Sequence, residues 1–208
     1  IMTYAMCGVM GDAREVFEQL PEPNVVTWSA LISGYTQNGF GNEALQCFRQ
    51  MQDVGVCPDS VTYICVLKAC GIMRSLEVGK DIDAQLRCKG LLEKDIILGT
   101  ALVDMYAKCG TLDKAQEVFE QLPERNVVSW NALIAGYVQH GLGEKSLKCL
   151  RQMQDAGVCP DAVTYVSILK ACSMVRSLDI GEDIDAEIRK QGLLQKNIML
   201  GTALVDMY

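Results

Sequence analysis

The stretch Val127–Asp161, VVSWNALIAGYVQHGLGEKSLKCLRQMQDAGVCPD, decides the fold, because it occurs almost verbatim a second time as Val25–Asp59. Trp28 and Trp130 stand 102 residues apart, as do Pro58 and Pro160, Gly99 and Gly201, and Tyr4 and Tyr106. The 208 residues are therefore two copies of one long period plus about four residues. Such self-similarity marks a repeat array, in which each unit can bury its apolar face only on its neighbours. Inside the stretch, Trp28, Leu31, Ile32 and Tyr35 fall at i, i+3, i+4 and i+7, one face of a helix. Gly39-Phe40-Gly41 breaks that helix, and Asn42 is placed to cap a second one carrying Ala44, Leu45, Phe48 and Met51. Gly55 suits the left-handed residue after it, and Pro58 follows. The pattern is helix–turn–helix in 35 residues.

Working outward, residues 1–24 end in Val16-Phe17 and Leu20 before Pro21-Glu22-Pro23, which stops a helix. The unit 60–95 has 36 residues, with Tyr63, Val66, Leu67 and Cys70 on its first helix and Val78, Ile82 and Leu86 on a second that ends near Gly90. The unit 96–126 has 31 residues. It pairs Leu102, Val103 and Tyr106 with Leu112, Ala115, Phe119 and Leu122, broken at Cys109-Gly110 and closed by Pro123. The cycle restarts at 127–161 and 162–197, with a truncated unit at 198–208. β-Branched runs such as Val25-Val26-Thr27 are too short for strands. The expected fold is all-α: a right-handed α-solenoid of antiparallel helix pairs over residues 1–208, first helices lining one face and second helices the other.

Half the residues are hydrophobic, enough for a packed interior. No run approaches the ~18–20 apolar residues of a membrane span, so no membrane partner is expected. The chain opens and closes inside repeat units, which suggests a fragment whose targeting segment lies outside it. Eight of the ten cysteines recur at the repeat offset (Cys7/Cys109, Cys47/Cys149, Cys57/Cys159, Cys70/Cys172), so repetition explains their spacing without disulfides. No Cys-x-x-Cys occurs and His140 is the only histidine, so no metal site and no cofactor are expected. The net charge of −7 argues against indiscriminate nucleic-acid binding without excluding a locally basic groove.

Two repeat families have this architecture. The tetratricopeptide repeat has a uniform 34-residue period and a Trp-x-x-Leu-Gly-x-x-Tyr run. Trp28-Ser29-Ala30-Leu31-Ile32-Ser33-Gly34-Tyr35 is one residue too long for it, and the lengths 35, 36 and 31 do not fit. The strings VVSWNALIAGYVQHG, LRQMQDAGVCPDAVTYVSILKAC and GTALVDMYAKCGTLDKAQEVFEQLPERNVVSW instead resemble plant pentatricopeptide repeat proteins of the PLS class, in which standard (P), long (L) and short (S) motifs alternate. The resemblance covers the whole chain: partial S 1–24, P 25–59, L 60–95, S 96–126, P 127–161, L 162–197, partial S 198–208.

That resemblance implies sequence-specific binding of single-stranded RNA, one motif per base, each unit presenting the same side chains at a fixed pitch. It assigns base reading to Ser29 with Asp59, Thr100 with Asn126, and Asn131 with Asp161, and to Thr202 if its motif is completed. Val26, Ile97 and Val128 would sandwich the bases. By the family's rule Ser with Asp favours G, Thr with Asn favours A, and Asn with Asp favours U or, less strongly, C. In the long motifs the corresponding pairs are Ile64/Asp95 and Val166/Asn197, and an apolar first partner cannot hydrogen-bond a base, so little base choice is expected there. The implied target is 5′-G-n-A-U-n-3′. On residue chemistry alone, Ser29 and Thr100 read as helix caps and Asp59 and Asp161 as turn residues. Lys108 is a candidate phosphate contact, but its standard-motif counterparts are Gln37 and Gln139. The Trp and Tyr stripe reads as core, and Glu117 to Glu120 and Glu182-Asp183 as solvated faces. Asp83 and Asp185 stand where the family's long motifs commonly carry His.

Members of this class guide C-to-U editing in the mitochondrion or chloroplast, and some carry a zinc deaminase domain built on His-x-Glu and Pro-Cys-x-x-Cys. Neither string occurs here, and there is no Ser/His/Asp set or phosphate-cradling Gly loop, so no catalytic residue is expected. The alternative reading is a protein-binding helical scaffold, with editing accessory proteins docked at the long motifs. Ile198–Tyr208 and Ile1–Asn24 could also complete one short motif between two chains, a head-to-tail self-association that does not close on itself.

Overall fold

A computed structural model describes residues 1–208, the side chain of Lys196 excepted. All regular structure among the described residues is helical. The chain divides into two compact units, Ile1–Cys109 and Gly110–Tyr208. The first contains α1 (Met2–Met6), α2 (Met10–Glu18), α3 (Val25–Gln37), α4 (Gly41–Asp53), α5 (Ser60–Met73), α6 (Leu76–Cys88) and α7 (Ile96–Lys108). The second contains α8 (Leu112–Glu120), α9 (Val127–Gln139), α10 (Gly143–Asp155), α11 (Ala162–Val175), α12 (Leu178–Lys190), a 3-10 turn at Leu194–Lys196 and α13 (Ile198–Met207).

In each unit the odd-numbered helices from α3 onward are the apolar ones and stack on one another. α5 packs on α3 and α7, and α11 packs on α9 and α13. Their cores are the expected stripes: Trp28, Leu31, Ile32 and Tyr35 in α3, Tyr63, Val66, Leu67 and Cys70 in α5, Trp130, Leu133, Ile134 and Tyr137 in α9, all buried. The even-numbered helices are amphipathic and cover one side of that layer, α4 resting on α3 and α5 and α10 on α9 and α11. Phe17 meets Trp28 edge-on at 4.5 Å, and Phe119 meets Trp130 at 4.6 Å, the same joint in each unit. The acidic runs around Glu117 and Glu182 lie on exposed faces.

One expectation is corrected, and two features are added to the sequence reading. Asn42 does not cap α4: that helix starts at Gly41 with Phe40 as its N-cap and no side-chain cap bond. The cysteines are all free thiols, but Cys7, Cys57, Cys88 and Cys159 are exposed and contribute nothing to the core. Asp83 and Asp185, which stand where the family's long motifs commonly carry His, are buried. Asp83 accepts hydrogen bonds from Arg87 Nε at 2.7 Å and from Tyr106 OH at 2.7 Å, joining α6 to α7. Asp185 accepts from Arg189 Nε at 2.8 Å and Tyr208 OH at 3.3 Å. α6 comes close to α7, and α12 to α13, because Gly79 faces Met105 and Gly181 faces Met207; a Cβ at either glycine would run into the methionine sulfur.

Candidate functional site

One piece of local chemistry builds the start of every odd-numbered helix from α3 to α13. The residue before the helix is Asn24, Asp59, Asp95, Asn126, Asp161 or Asn197, and in each case its side-chain oxygen accepts from the backbone N–H groups of the first turn. The Thr62 N–H donates to Asp59 at 2.8 Å, that of Thr164 to Asp161 at 2.9 Å, and that of Ser129 to Asn126 at 3.0 Å. Asp95 takes the N–H groups of Ile97 and Leu98, and Asn197 takes that of Met199. Helix N-termini favour negative charge, which stabilises the ionised form of Asp59 and Asp161 where they cap α5 and α11. Asp59, Asn126 and Asp161 are thus caps, where residue chemistry alone gave turn residues for the two aspartates.

Ser29, Thr100, Asn131 and Thr202, by contrast, are not caps. Each is the fifth residue of its helix, as are Ile64 and Val166. In the first unit, Ser29 Oγ lies 3.2 Å from Asp59 Oδ1, the cap of the following odd-numbered helix, and also donates back to the Val25 carbonyl at 2.7 Å. In the second unit, Asn131 Nδ2 donates to Asp161 Oδ1 at 3.0 Å. Each of these pairs spans 30 positions of sequence. Ile64 and Val166 supply no such bond to Asp95 and Asn197, whose oxygens serve the helix ends. The Thr100 hydroxyl is buried with no hydrogen-bond partner among the described residues. The Thr202 hydroxyl donates to the Ile198 carbonyl at 3.4 Å.

Beside each fifth residue stands an exposed aliphatic at the second position of the helix. Val26 is 68%, Ile97 65% and Val128 59% exposed, although each belongs to a helix that is otherwise mostly core. Val61, Val163 and Met199 hold the same place in α5, α11 and α13 and are equally exposed. Sequence reasoning did not single out these three; their signal was the interval of two residues after the cap. On the same helical faces, seven residues beyond Val61 and Val163, stand the exposed Lys68 and Lys170. They too were missed, because the comparison was made at Lys108, whose ammonium is instead paired with Asp104 at 2.7 Å.

Asp59 and Asp161 share one electrostatic setting. Burial pushes Asp59 up, but the hydroxyl and backbone N–H of Thr62 and the Ser29 hydroxyl outweigh it, leaving Asp59 below the ordinary aspartate value of 3.8. Burial likewise acts upward on Asp161, and the Thr164 N–H, the Asn131 amide and the Thr164 hydroxyl bring it below that value. A carboxylate depressed in the folded state contributes stability that is present above its unfolded pKa and lost as pH falls through the folded one. Both are anionic acceptors at neutral pH. A separate cavity of about 300 Å³ lies among α8, α9 and α10, lined by Phe119, Trp130, Tyr137 and Cys149; it includes none of the paired residues. Burial pushes the Tyr137 hydroxyl to about 12 and the Cys149 thiol to about 11, so both stay protonated. Among the described residues no group of three or more His, Cys, Asp or Glu could hold a metal ion.

The PPR repeat family profile matches residues 23–71 and 125–174, and a PPR repeat profile matches 100–127. Together they take in more than half of the chain. The chain belongs to the pentatricopeptide repeat family. A chloroplastic pentatricopeptide repeat-containing protein of Arabidopsis thaliana is 40% identical over 205 residues, 99% of this chain and 33% of its own length. A putative mitochondrial pentatricopeptide repeat-containing protein of the same plant is 39% identical over 208 residues, again 33% of its length. The chain thus spans about a third of these curated relatives. The crystal structure of the maize pentatricopeptide repeat protein PPR10 superposes with a TM-score of 0.72 at 24% identity, covering 92% of this chain and 28% of PPR10. PPR10 in complex with an 18-nt psaJ RNA element gives 0.73 at 18% identity, covering 90% of this chain and 29% of PPR10. These likenesses give the fold: pentatricopeptide repeat helix pairs, whose stacked first helices carry the caps, the fifth residues and the exposed aliphatics described above.

Proposed function

We propose that this chain binds single-stranded RNA through the faces of its first helices, one motif per base, as the targeting part of an organellar C-to-U editing factor of the PLS class. The observation that carries the reading is the pairing of Ser29 with Asp59 and of Asn131 with Asp161, each beside an exposed aliphatic. An unstacked base can lie against Val26 or Val128 while its edge meets the adjacent polar pair, which is how single-stranded RNA is read by repeats. Asn131 and Asp161 together offer one donor and one acceptor. Ser29 and Asp59 together offer acceptors, which suit the N1–H and N2–H₂ donors of guanine. The PPR10 complex with RNA supports the ligand class, and the chloroplastic and mitochondrial relatives support the organelle. In this reading the chain selects a site and leaves deamination to another domain or protein.

Selection from a random single-stranded RNA pool tests it. The expected enrichment is 5′-G-n-A-U-n-3′. A pool that returns no RNA even at low salt, while the chain retains helical circular dichroism, would favour the protein-scaffold reading.

A further inference from the structure

We propose that the base-reading unit is a triad, whose third member is a threonine hydroxyl borrowed from the next motif: Thr62 for Ser29 and Asp59, Thr164 for Asn131 and Asp161. The proposal rests on the reading of those pairs as base readers. Both threonines are the third residue of the following first helix and have no exposed surface, where Ser29 keeps 5%, so they stand behind the pair and not at the RNA. Thr62 Oγ1 lies 2.6 Å from Ser29 Oγ and donates to Asp59 Oδ1 at 2.7 Å. Thr164 Oγ1 lies 2.6 Å from Asn131 Oδ1 and 2.9 Å from Asp161 Oδ1, and accepts the Asp161 N–H at 3.1 Å. The same three-way contact therefore occurs independently in both units.

Its consequence follows from the donor and acceptor inventory of an amide. An Asn side chain can sit in two flips, exchanging a donor for an acceptor at each end. Here the Asp161 carboxylate takes one Nδ2–H, and the Thr164 hydroxyl offers its proton to Oδ1. The reverse flip would set Oδ1 against the carboxylate, two acceptors facing each other. Thr164 and Asp161 thus hold one flip, and what remains for a ligand is the second Nδ2–H of Asn131 and the Oδ2 side of the Asp161 carboxylate. A donor beside an acceptor complements the carbonyl and N3–H of uracil. In the other copy the Ser29 proton is committed to the Val25 carbonyl or to the triad, so Ser29 faces a base as an acceptor.

The chain carries its own control. Where the fifth residue is apolar, Ile64 and Val166, the residue in the threonine's place is Leu98 or Leu200, both buried. Where it is Ser29 or Asn131, the place holds a threonine hydroxyl; where it is Thr100, the place holds Ser129, but the Thr100 hydroxyl makes no hydrogen bond among the described residues, so the triad is a property of the two threonine-bearing copies. Thr62 and Thr164 are accordingly positioning residues that set which edge the readers show.

Thr164→Val keeps the shape and removes the hydroxyl; Thr164→Ser restores it. The readout is the affinity ratio between two RNAs that differ only by U or G opposite the 127–161 motif. For Thr164→Val the preference for U is expected to fall about fivefold, the worth of one net hydrogen bond, while G preference opposite the 25–59 motif holds. Thr164→Ser should recover it. Retention of U preference in a folded Thr164→Val protein would overturn the triad. Should Thr164→Val not fold, Thr62→Val asks the same question of G preference in the other unit. If Asn131→Ser also leaves base preference unmoved, the underlying reading fails and the triad with it, whereas a response to Asn131→Ser alone removes only the triad.

Discussion

The Asp161 carboxylate caps α11 through the Thr164 N–H and accepts the Asn131 amide, so its two roles can be separated by a substitution that preserves one. Asn and Asp are near-equal N-caps, so Asp161→Asn should change stability by less than about 0.5 kcal/mol in denaturant unfolding. It replaces an acceptor with an amide that can donate, so preference opposite that motif should move from U towards C, whose N3 is an acceptor. An unchanged preference would show that Asp161 is only a cap. The depressed pKa gives a second test. U preference should be flat through neutral pH and fade only below the ordinary aspartate value of 3.8, since protonation removes the anion and lies below that value. Fading at higher pH would contradict the hydrogen-bond account. At this scale the sequence spoke mainly through resemblance. Residue chemistry alone offered caps and turns, and the physical reason is that the carboxylates proposed to read a base, Asp59 and Asp161, are themselves helix caps.

For the helices, the apolar stripes at i, i+3, i+4 and i+7 were legible because burial of one face repeats with the helical period. The Asp83–Arg87–Tyr106 clasp between α6 and α7 was not, since a carboxylate in an amphipathic helix reads as solvent-facing until its partner is known to lie 23 positions away. Tyr106→Phe leaves a buried carboxylate oxygen without that donor. Loss of a hydrogen bond to a charged group costs about 1.5–3 kcal/mol, which chemical denaturation would resolve. A change below about 0.5 kcal/mol would mean the clasp is compensated within the site. Asn42 was misread for a related reason. Its residue type suits a cap, but α4 begins at Gly41 and takes Phe40 as its N-cap.

Across the whole molecule, the 102-residue period made the repeat architecture readable before any helix was placed. Charge is the feature most at odds with an RNA ligand: the net is −7, and the cations found on the first-helix faces are Lys68, Lys170 and the Asp104-paired Lys108. Single-strand binding loses affinity with salt at a log–log slope of roughly −0.7 per phosphate neutralised, so three such contacts predict a slope of about −2 or shallower. A much steeper slope would place the binding surface elsewhere. In the proposed reading, affinity then rests on the aliphatics and selectivity on the polar pairs. The most direct measurement compares wild type with Asn131→Ser on 5′-G-n-A-U-n-3′ and its variant carrying G in place of U. Wild type should prefer U, and Asn131→Ser, which recreates the Ser29–Asp59 pairing, should prefer G. A preference that does not move, in a protein that still binds the RNA, would contradict base selection by Asn131 and Asp161.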